Sequence, residues 1–328
     1  MKKRIIRALG VLLLFALMLA EIEHYEYIES NKKIVYQSQD DLWQTGRLEY
    51  KGELYQYNEN VKTYLIMGID KLDPVQRETN YYNGGQCDAL FLLMLDEKND
   101  KMTIVAINRN TITDIQTCNQ GGMPTGTEET FLCLQHAYGD GAEISCERTV
   151  WAVSNLFYRL PIDGYVSINM GAFPLANDVI GGVEVEVLED IIDPGMQADL
   201  HQGEIVRLQG MEAFAYINIR DLYHPDGATK RLERQKQYLT NAIHQVMNSD
   251  ENKVKMILEG YQVVQPYVVS DVNVVEMAYG IWQTGINLET IISIPGEDVP
   301  KDEYVYHYVD KDAMLDVLVD LYYEKEGE

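Results

Sequence analysis

Three apolar runs follow one another closely and constrain the chain more than any other feature. They are T-Y-L-I-M-G at Thr63–Gly68, A-L-F-L-L-M-L at Ala89–Leu95 and M-T-I-V-A-I at Met102–Ile107. Each is bounded by turn chemistry, Gly68 before Asp70 and Asp96-Glu-Lys-Asn-Asp100 between the second and third, so each reads as a buried strand. None alternates apolar with polar residues. Strands apolar on both faces need cover on both faces, which predicts a sheet with helices above and below it.

Later segments supply that cover. Ser145–Arg159 carries Val150, Val153, Leu156 and Phe157 on one stripe, with Ser145 as the expected N-cap. Tyr165–Ile168 reads as a strand and Met170–Ile180 as a helix, ended by Gly181-Gly182 before strand Val183–Val187. Met211–Ile219 reads as helical. Leu232–Met247 is an amphipathic helix with Leu232, Leu239, Ile243, Val246 and Met247 inward. Helices are also expected at Val272–Trp282, capped by Ser270 or Asp271, and at Lys311–Tyr323, capped by Asp310. The fold class is therefore α/β: a central mixed β-sheet covered by helices on both faces.

The N-terminus has a different logic. Lys2, Lys3, Arg4 and Arg7 precede an apolar run from Ala8 to Ala20 and then acidic Glu21. A basic lead and an apolar run form an export signal whose basic end stays in the cytoplasm. Residues 1–7 are read as a cytoplasmic leader and 8–22 as a single-pass membrane anchor, with cleavage after Ala20 the alternative fate. The polar, tyrosine-rich residues 23–60, with weak helical periodicity, become a stalk, and 61–328 the extracytoplasmic domain. The whole chain has 27 basic against 52 acidic residues, a net charge of −25. So acidic a body repels a phosphate backbone, which argues against nucleic-acid binding. Four cysteines in an oxidising compartment suggest disulfides, Cys133–Cys146 and then Cys87–Cys118, with free buried thiols as the alternative. The absence of C-x-x-C argues against zinc.

Because basic residues are scarce, their clustering is informative. Arg207, Arg220, Lys230, Arg231, Arg234 and Lys236 fall within thirty positions. Arg231 and Gln235 are four apart and share a helix face, while Arg234 is rotated away. On the first turn of a helix they would face an anion alongside free backbone N–H groups, and Arg220 could join them. Grouped guanidiniums suit a diphosphate; a surface stripe of salt bridges explains the spacing equally well. A second constellation, Asp70, Asp88 and Arg109, borders the ends of the first three strands, where sheets of this class place their sites. Carboxylates there suit a hard cation such as Mg²⁺ bridging phosphate oxygens. No P-loop, G-x-S-x-G or H-E-x-x-H occurs.

In order along the chain, these segments resemble the LytR–CpsA–Psr family. Y-L-I-M-G-I-D ending at Asp70 is similar to the family's first strand, and C-D-A-L-F-L-L-M at Cys87–Met94 stands in the place of its Ser-Asp-Thr strand. I-N-R-N-T at Ile107–Thr111 resembles its Pro-Arg-Asp-Thr motif. Q-H-A-Y-G-D-G, I-D-G-Y-V-S-I-N and V-I-G-G-V-E-V-E-V look like its middle region. L-Q-G-M-E-A-F-A-Y-I-N-I-R with R-L-E-R-Q resembles its closing arginine signature. The resemblance implies transfer of a polyprenyl diphosphate-linked glycan to peptidoglycan as a phosphodiester. It implies that Arg109, Arg220 and Arg231 hold the diphosphate, that Gln235 adds a hydrogen bond and that Asp88 ligates Mg²⁺ (or Mn²⁺). Asp70 would position the metal or assist the attacking hydroxyl. Two positions depart from the pattern. Asn110 replaces a metal-binding Asp, with an amide oxygen that can still ligate, and Asn218 replaces a diphosphate-binding Arg. Those changes leave room for a weakened relative that binds or senses the lipid.

Overall fold

The computed structural model describes Trp43 and residues 47–96, 98–220, 224, 226–248, 253–284, 287–301 and 303–327. The expected leader, the membrane anchor and residues 23–42 of the stalk lie outside the described residues. Among the described residues no helix is long and apolar enough to cross a membrane. In chain order the strands are β1 (Arg47–Tyr50), β2 (Glu53–Tyr57), β3 (Val61–Ile69), β4 (Cys87–Asp96), β5 (Lys101–Ile107), β6 (Ile112–Cys118), β7 (Pro124–Phe131), β8 (Gly164–Asn169), β9 (Val183–Glu186), β10 (Ile191–Asp193), β11 (Ala198–Leu200), β12 (Ile205–Leu208), β13 (Val268–Ser270), β14 (Asn287–Ser293), β15 (Gly296–Lys301), β16 (Tyr304–Val309) and β17 (Tyr323–Lys325). The α-helices are α1 (Glu143–Leu156), α2 (Phe173–Val179), α3 (Gly210–Asn218), α4 (Gly227–Met247), α5 (Lys253–Val264), α6 (Val274–Thr284) and α7 (Lys311–Tyr322).

The three apolar runs are the heart of a six-stranded sheet in the order β13-β8-β3-β4-β5-β14. β4 runs antiparallel to both β3 and β5, whereas β8 and β14 join parallel, so the sheet is mixed as expected. One face packs Phe91, Leu93, Leu95, Met102, Ile104 and Ala106 beneath Leu232, Leu239 and Ile243 of α4 and Met277 and Ile281 of α6. On the opposite face, Thr63 of β3 shares a buried hydroxyl hydrogen bond of 2.9 Å with Tyr322 of α7. β3 alternates fully buried with half-buried residues, because Tyr64, Ile66 and Gly68 lie where the first layer is not completely closed.

Several boundaries differ from the sequence reading, each for a local reason. Ser145 is inside α1 rather than at its cap. Asp140 accepts from the backbone N–H groups of Ala142 and Ser145, and the Ser145 hydroxyl turns back to accept from Gly141 N. α4 begins at Gly227, so Arg231 sits a turn inside the helix and away from its free N–H groups. α6 begins at Val274, and its first turn is met by Asn273, whose Oδ1 accepts from Glu276 N; Asp271 instead accepts from Tyr165 N. Asp310 caps α7 as expected. Residues 47–57 form a hairpin rather than a helical segment, and β17 adds to its edge.

The proposed disulfides do not form: all four thiols are free and buried. The turn between Cys133 and Cys146 leads into α1 and sends them to different partners. Cys133 faces Arg109, whereas Cys146 lies 3.8 Å from His136 Nε2. Cys87 donates to the carbonyl of Ala89, and Cys118 lies against Arg148.

An aromatic cluster joins Trp43 to the hairpin and to the last helix and strand. Trp43 packs on Tyr57, Tyr322 and Tyr323, and its indole N–H donates to Tyr158 O at 2.9 Å. Truncating Tyr323, which is buried, should cost about 3 kcal/mol. Urea unfolding of Tyr323→Ala against the exposed control Gln56→Ala measures this; equal midpoints would mean that the hairpin and β17 do not support the domain.

Candidate active site

Asp88 is the second residue of β4, and the antiparallel register places it at the same sheet edge as the ends of β3 and β5. Asp70 follows β3 and Arg109 follows β5, so the three residues meet there. Asp88 Oδ1 accepts from Arg109 Nη1, and its Oδ2 accepts from Arg231 Nη1 at 3.0 Å. Arg109 also donates through Nη2 to Gln86 Oε1 and to Cys133 Sγ, the latter at 3.0 Å. Arg220 is close enough for its charge to act on both Arg109 and Arg231. Clustering grouped Arg220 with Arg231 and the family resemblance added Arg109; the three guanidiniums lie near one another.

Three guanidiniums around the buried Asp88, with Asp70 at the rim, leave an excess of positive charge. Burial pushes the Arg231 guanidinium down to about 10; Arg109 and Arg220 push the same way, and only Asp88 opposes them strongly. Burial, and then Arg109, also lowers Arg220. Arg231 is 3 % exposed. Among the described residues its Nη2 and the Nε of Arg109 are buried donors without an acceptor. Leaving such a donor unmet costs about 1–3 kcal/mol, so the site is built for an anion.

Arg234, which faces away from that centre, is the most important residue that spacing alone did not assign. It is buried, its two terminal nitrogens donate to the carbonyls of Tyr216 and Ile219, and its Nε lies 2.9 Å from Glu189. Gln235 donates to Ile217 O at 3.1 Å, and Arg231 reaches Asn218 O at 3.4 Å. Carbonyls at the end of α3 have no partners within their own helix; α4 satisfies them and thereby aims the segment that carries Arg220. The observed contact of Gln235 is thus to backbone. Arg234 was legible only as part of R-L-E-R-Q.

Asp70 stands at the rim, open to water on one side, and its Oδ1 accepts from Gln86 N at 2.6 Å. Protein packed around its inner side raises its carboxyl above the usual aspartate value, and the charge of Asp88 adds to this. Asn110 is buried beside Arg109, tied through its backbone to Asn108 and to His307. Asn218 ends α3, half-buried. Each Asp88 oxygen accepts from one guanidinium, which leaves one lone pair on each. Among the described residues no group of three or more His, Cys, Asp or Glu side chains could hold a metal. Asp88 and Asn110, the expected metal pair, would supply at most two ligands to Mg²⁺, leaving the rest to the ligand's phosphate oxygens and water. Running away from the arginines along α4, the half-buried Tyr64, Ile66 and Ala89 with Leu239, Ile243, Met277 and Ile281 pack against the core and leave an apolar face only partly covered.

His136 underlies the loop that carries Gln86. Its Nδ1 lies 3.0 and 3.1 Å from the carbonyls of Gly84 and Gly85, so that nitrogen bears the proton. Gly84 has no alternative: a Cβ there would sit 2.4 Å from His136 O.

The sequence pattern of the LytR_cpsA_psr family matches residues 21–321. The polyisoprenyl-teichoic acid–peptidoglycan teichoic acid transferase TagV of Bacillus subtilis (strain 168) is 28% identical over 259 residues, 77% of this chain and 60% of that protein. The enzyme TagU of Halalkalibacterium halodurans, of the same description, is 33% identical over 181 residues, 55% of this chain and 52% of that protein. The chain thus spans only about half to three-fifths of these relatives' length. The crystal structure of B. subtilis TagV superposes with a TM-score of 0.63 at 25% identity, covering 80% of this chain and 96% of that one. TagT bound to LIIa-WTA, at 19% identity and a TM-score of 0.57 over 87% of this chain and 98% of that one, shares the fold.

Burial pushes the His136 imidazole down to about 4, against a free value of 6.5, and the two carbonyls only partly oppose it. Protonation therefore favours the unfolded chain. The stability this neutral histidine contributes is whole above the unfolded value and is lost as pH falls toward the folded one. Between neutral pH and about pH 5 the loss attributable to His136 should be about 2 kcal/mol. Urea midpoints of the parent and His136→Asn across that window measure it; an equal acid loss in both would remove His136 as the cause.

Proposed function

The chain belongs to the LytR–CpsA–Psr family, and from that premise we propose that it transfers a polyprenyl diphosphate-linked glycopolymer, teichoic-acid-like or capsular, to peptidoglycan as a phosphodiester. The observation that carries this reading is the buried guanidinium cluster: Arg109, Arg220 and Arg231 around Asp88, with donors on Arg109 and Arg231 unmet. A diphosphate supplies the missing acceptors and charge. The apolar face that runs away from it along α4 suits the prenyl chain.

In the proposed reaction an acceptor sugar hydroxyl attacks the phosphorus nearer the glycan. The bond from that phosphorus to the bridging oxygen breaks, and polyprenyl phosphate leaves. Arg109, Arg220 and Arg231 hold the diphosphate oxygens and stabilise charge growing on the leaving phosphate. Asp88 has both oxygens engaged and acts by holding two of those guanidiniums in place. Asp70, at the open rim with a raised affinity for protons, takes the hydroxyl proton. Gln235 and Asn218 position the arginine-bearing segment. Mg²⁺ or Mn²⁺ belongs to the reading only as a companion of the incoming diphosphate, and no step rests on it. The membrane anchor at 8–22 would hold the domain at the outer leaflet, where a lipid-borne donor is found.

Asn110 and Asn218 favour a second reading, a weakened relative that binds or senses the lipid-linked glycan. The two readings separate in one assay, with polyprenyl diphosphate glycan, acceptor and Mg²⁺. Arg220→Gln should lower transfer by roughly ten- to a hundred-fold, the equivalent of ~1.5–3 kcal/mol for a charged hydrogen bond, with an unchanged melting temperature. No turnover in the parent, with turnover gained by N110D/N218R, would replace transfer with sensing. The acid limb of the parent's rate profile should lie above the ordinary aspartate value and lose that form in Asp70→Asn; a profile unaltered by the substitution would remove Asp70 as the base.

A further inference from the structure

β16 carries a row of tyrosines that neither the fold nor the arginine site explains. Tyr304, Tyr306 and Tyr308 alternate along the strand and so share one face. His307 between them points the other way, buried against Asp298 with Nδ1 2.7 Å from its Oδ1. Tyr304 is 60 % exposed and Tyr308 47 %. The rings of Tyr306 and Tyr308 are nearly parallel, 12° apart with centroids at 6.4 Å. Phe131, at the end of β7, packs 4.8 Å from Tyr306 and 5.9 Å from Tyr304. The register sets Lys301 opposite Tyr304 and Glu297 opposite Tyr308, with the Lys301 ammonium 5.6 Å above the Tyr306 ring. The result is a platform of aromatic faces with a cation toward one end and a carboxylate toward the other.

The backbone that carries this platform is joined to that of the candidate active site. His307 N donates to Asn110 O at 3.0 Å, and Thr111 forms a bridge with the same histidine. Phe131 precedes Leu132 and Cys133, whose N–H groups donate to Thr111 O and Arg109 O. Asp298, the partner of His307, also accepts from Thr229 on α4. On the tyrosine face itself the link is Phe131, two residues before Cys133, whose thiol contacts Arg109.

Ring faces carry negative quadrupole charge and attract the positively polarised C–H faces of sugar rings, while Lys301 and Glu297 can hydrogen-bond to hydroxyl groups. The surroundings are acidic: Asp114, Glu128, Glu129, Glu297 and Glu303 are all exposed on the hairpins around the platform. That field disfavours a polyanionic glycopolymer and admits an uncharged strand. We propose that the Tyr304–Tyr306–Tyr308 face binds the neutral N-acetylated glycan strand of the acceptor and leads its hydroxyl to the arginine site. The proposal rests on the transferase reading for its orientation, but binding is testable without turnover.

The full chain in detergent is sedimented with purified sacculi freed of anionic polymer, and titrated with N-acetylglucosamine hexasaccharide by tyrosine fluorescence. Y304A/Y308A should weaken both interactions about ten-fold, as expected for two lost ring contacts, with an unchanged melting temperature. Y304F/Y308F should retain most of the affinity. Equal binding by Y304A/Y308A and parent would overturn the platform, as would a parent that binds isolated anionic glycopolymer but neither sacculi nor the hexasaccharide. Polyprenyl diphosphate binding is measured alongside. Its absence, with tyrosine-dependent sacculus binding intact, would sink the arginine-site reading and leave the platform standing; the opposite pattern would sink the platform alone.

Discussion

A single carboxylate organises the end of the sheet. Asp88 holds Arg109 with one oxygen and Arg231 with the other, and it does so where water is nearly absent. Removing one partner from such a buried arrangement leaves an uncompensated charge, which is why it is costly to break. Here compensation is incomplete even in the intact arrangement, since Arg220 adds a third cation to one buried anion. The carboxylate that ties this edge together thus supplies too little negative charge for the guanidiniums around it. Structure and anion affinity come from the same imbalance.

That imbalance persists only because neighbouring elements forbid its relaxation. Arg231 is held on α4, whose Leu232, Leu239 and Ile243 pack against the sheet. Arg234 and Gln235 on the same helix bind the last carbonyls of α3, fixing the chain just before Arg220. On the other side, His136 and the glycines above it hold Gln86, which in turn contacts Asp70 and Arg109. Guanidiniums that repel one another stay close because each is mounted on a rigid support, the form of preorganisation that makes a site useful.

The sheet was legible because its strands are apolar throughout, a pattern that admits few alternatives. The central residues of the site were legible for a related reason: they fall at strand ends or at helical spacing, where residue type and position together imply direction. Arg234 was read correctly as turned away from Arg231, but spacing gives the direction of a side chain and nothing about the carbonyls and Glu189 that lie in that direction. Ser145 failed as a cap because the helix begins two residues before it, at Glu143, where Asp140 accepts from the N–H groups of Ala142 and Ser145. The cysteines failed as pairs because even count and compartment say nothing about geometry, and Cys133 is drawn to Arg109. The hairpin at 47–57 was hidden because its partner, β17, lies at the far end of the sequence.

Charge raises a final point about selection. The chain as a whole carries −25, yet its candidate site is cationic and buried. At long range an anionic ligand is repelled, and screening limits that repulsion to roughly 8–10 Å in physiological salt. Free phosphates gain little beyond the arginines themselves and must cross that field unaided. A ligand delivered on a membrane lipid, to a domain tethered at the same surface, arrives at high effective concentration and adds the burial of its apolar chain. Under the proposed function the acidic exterior therefore sharpens the choice of substrate: it penalises soluble anions, spares neutral glycan strands, and leaves the lipid-linked diphosphate as the anion with energy to enter.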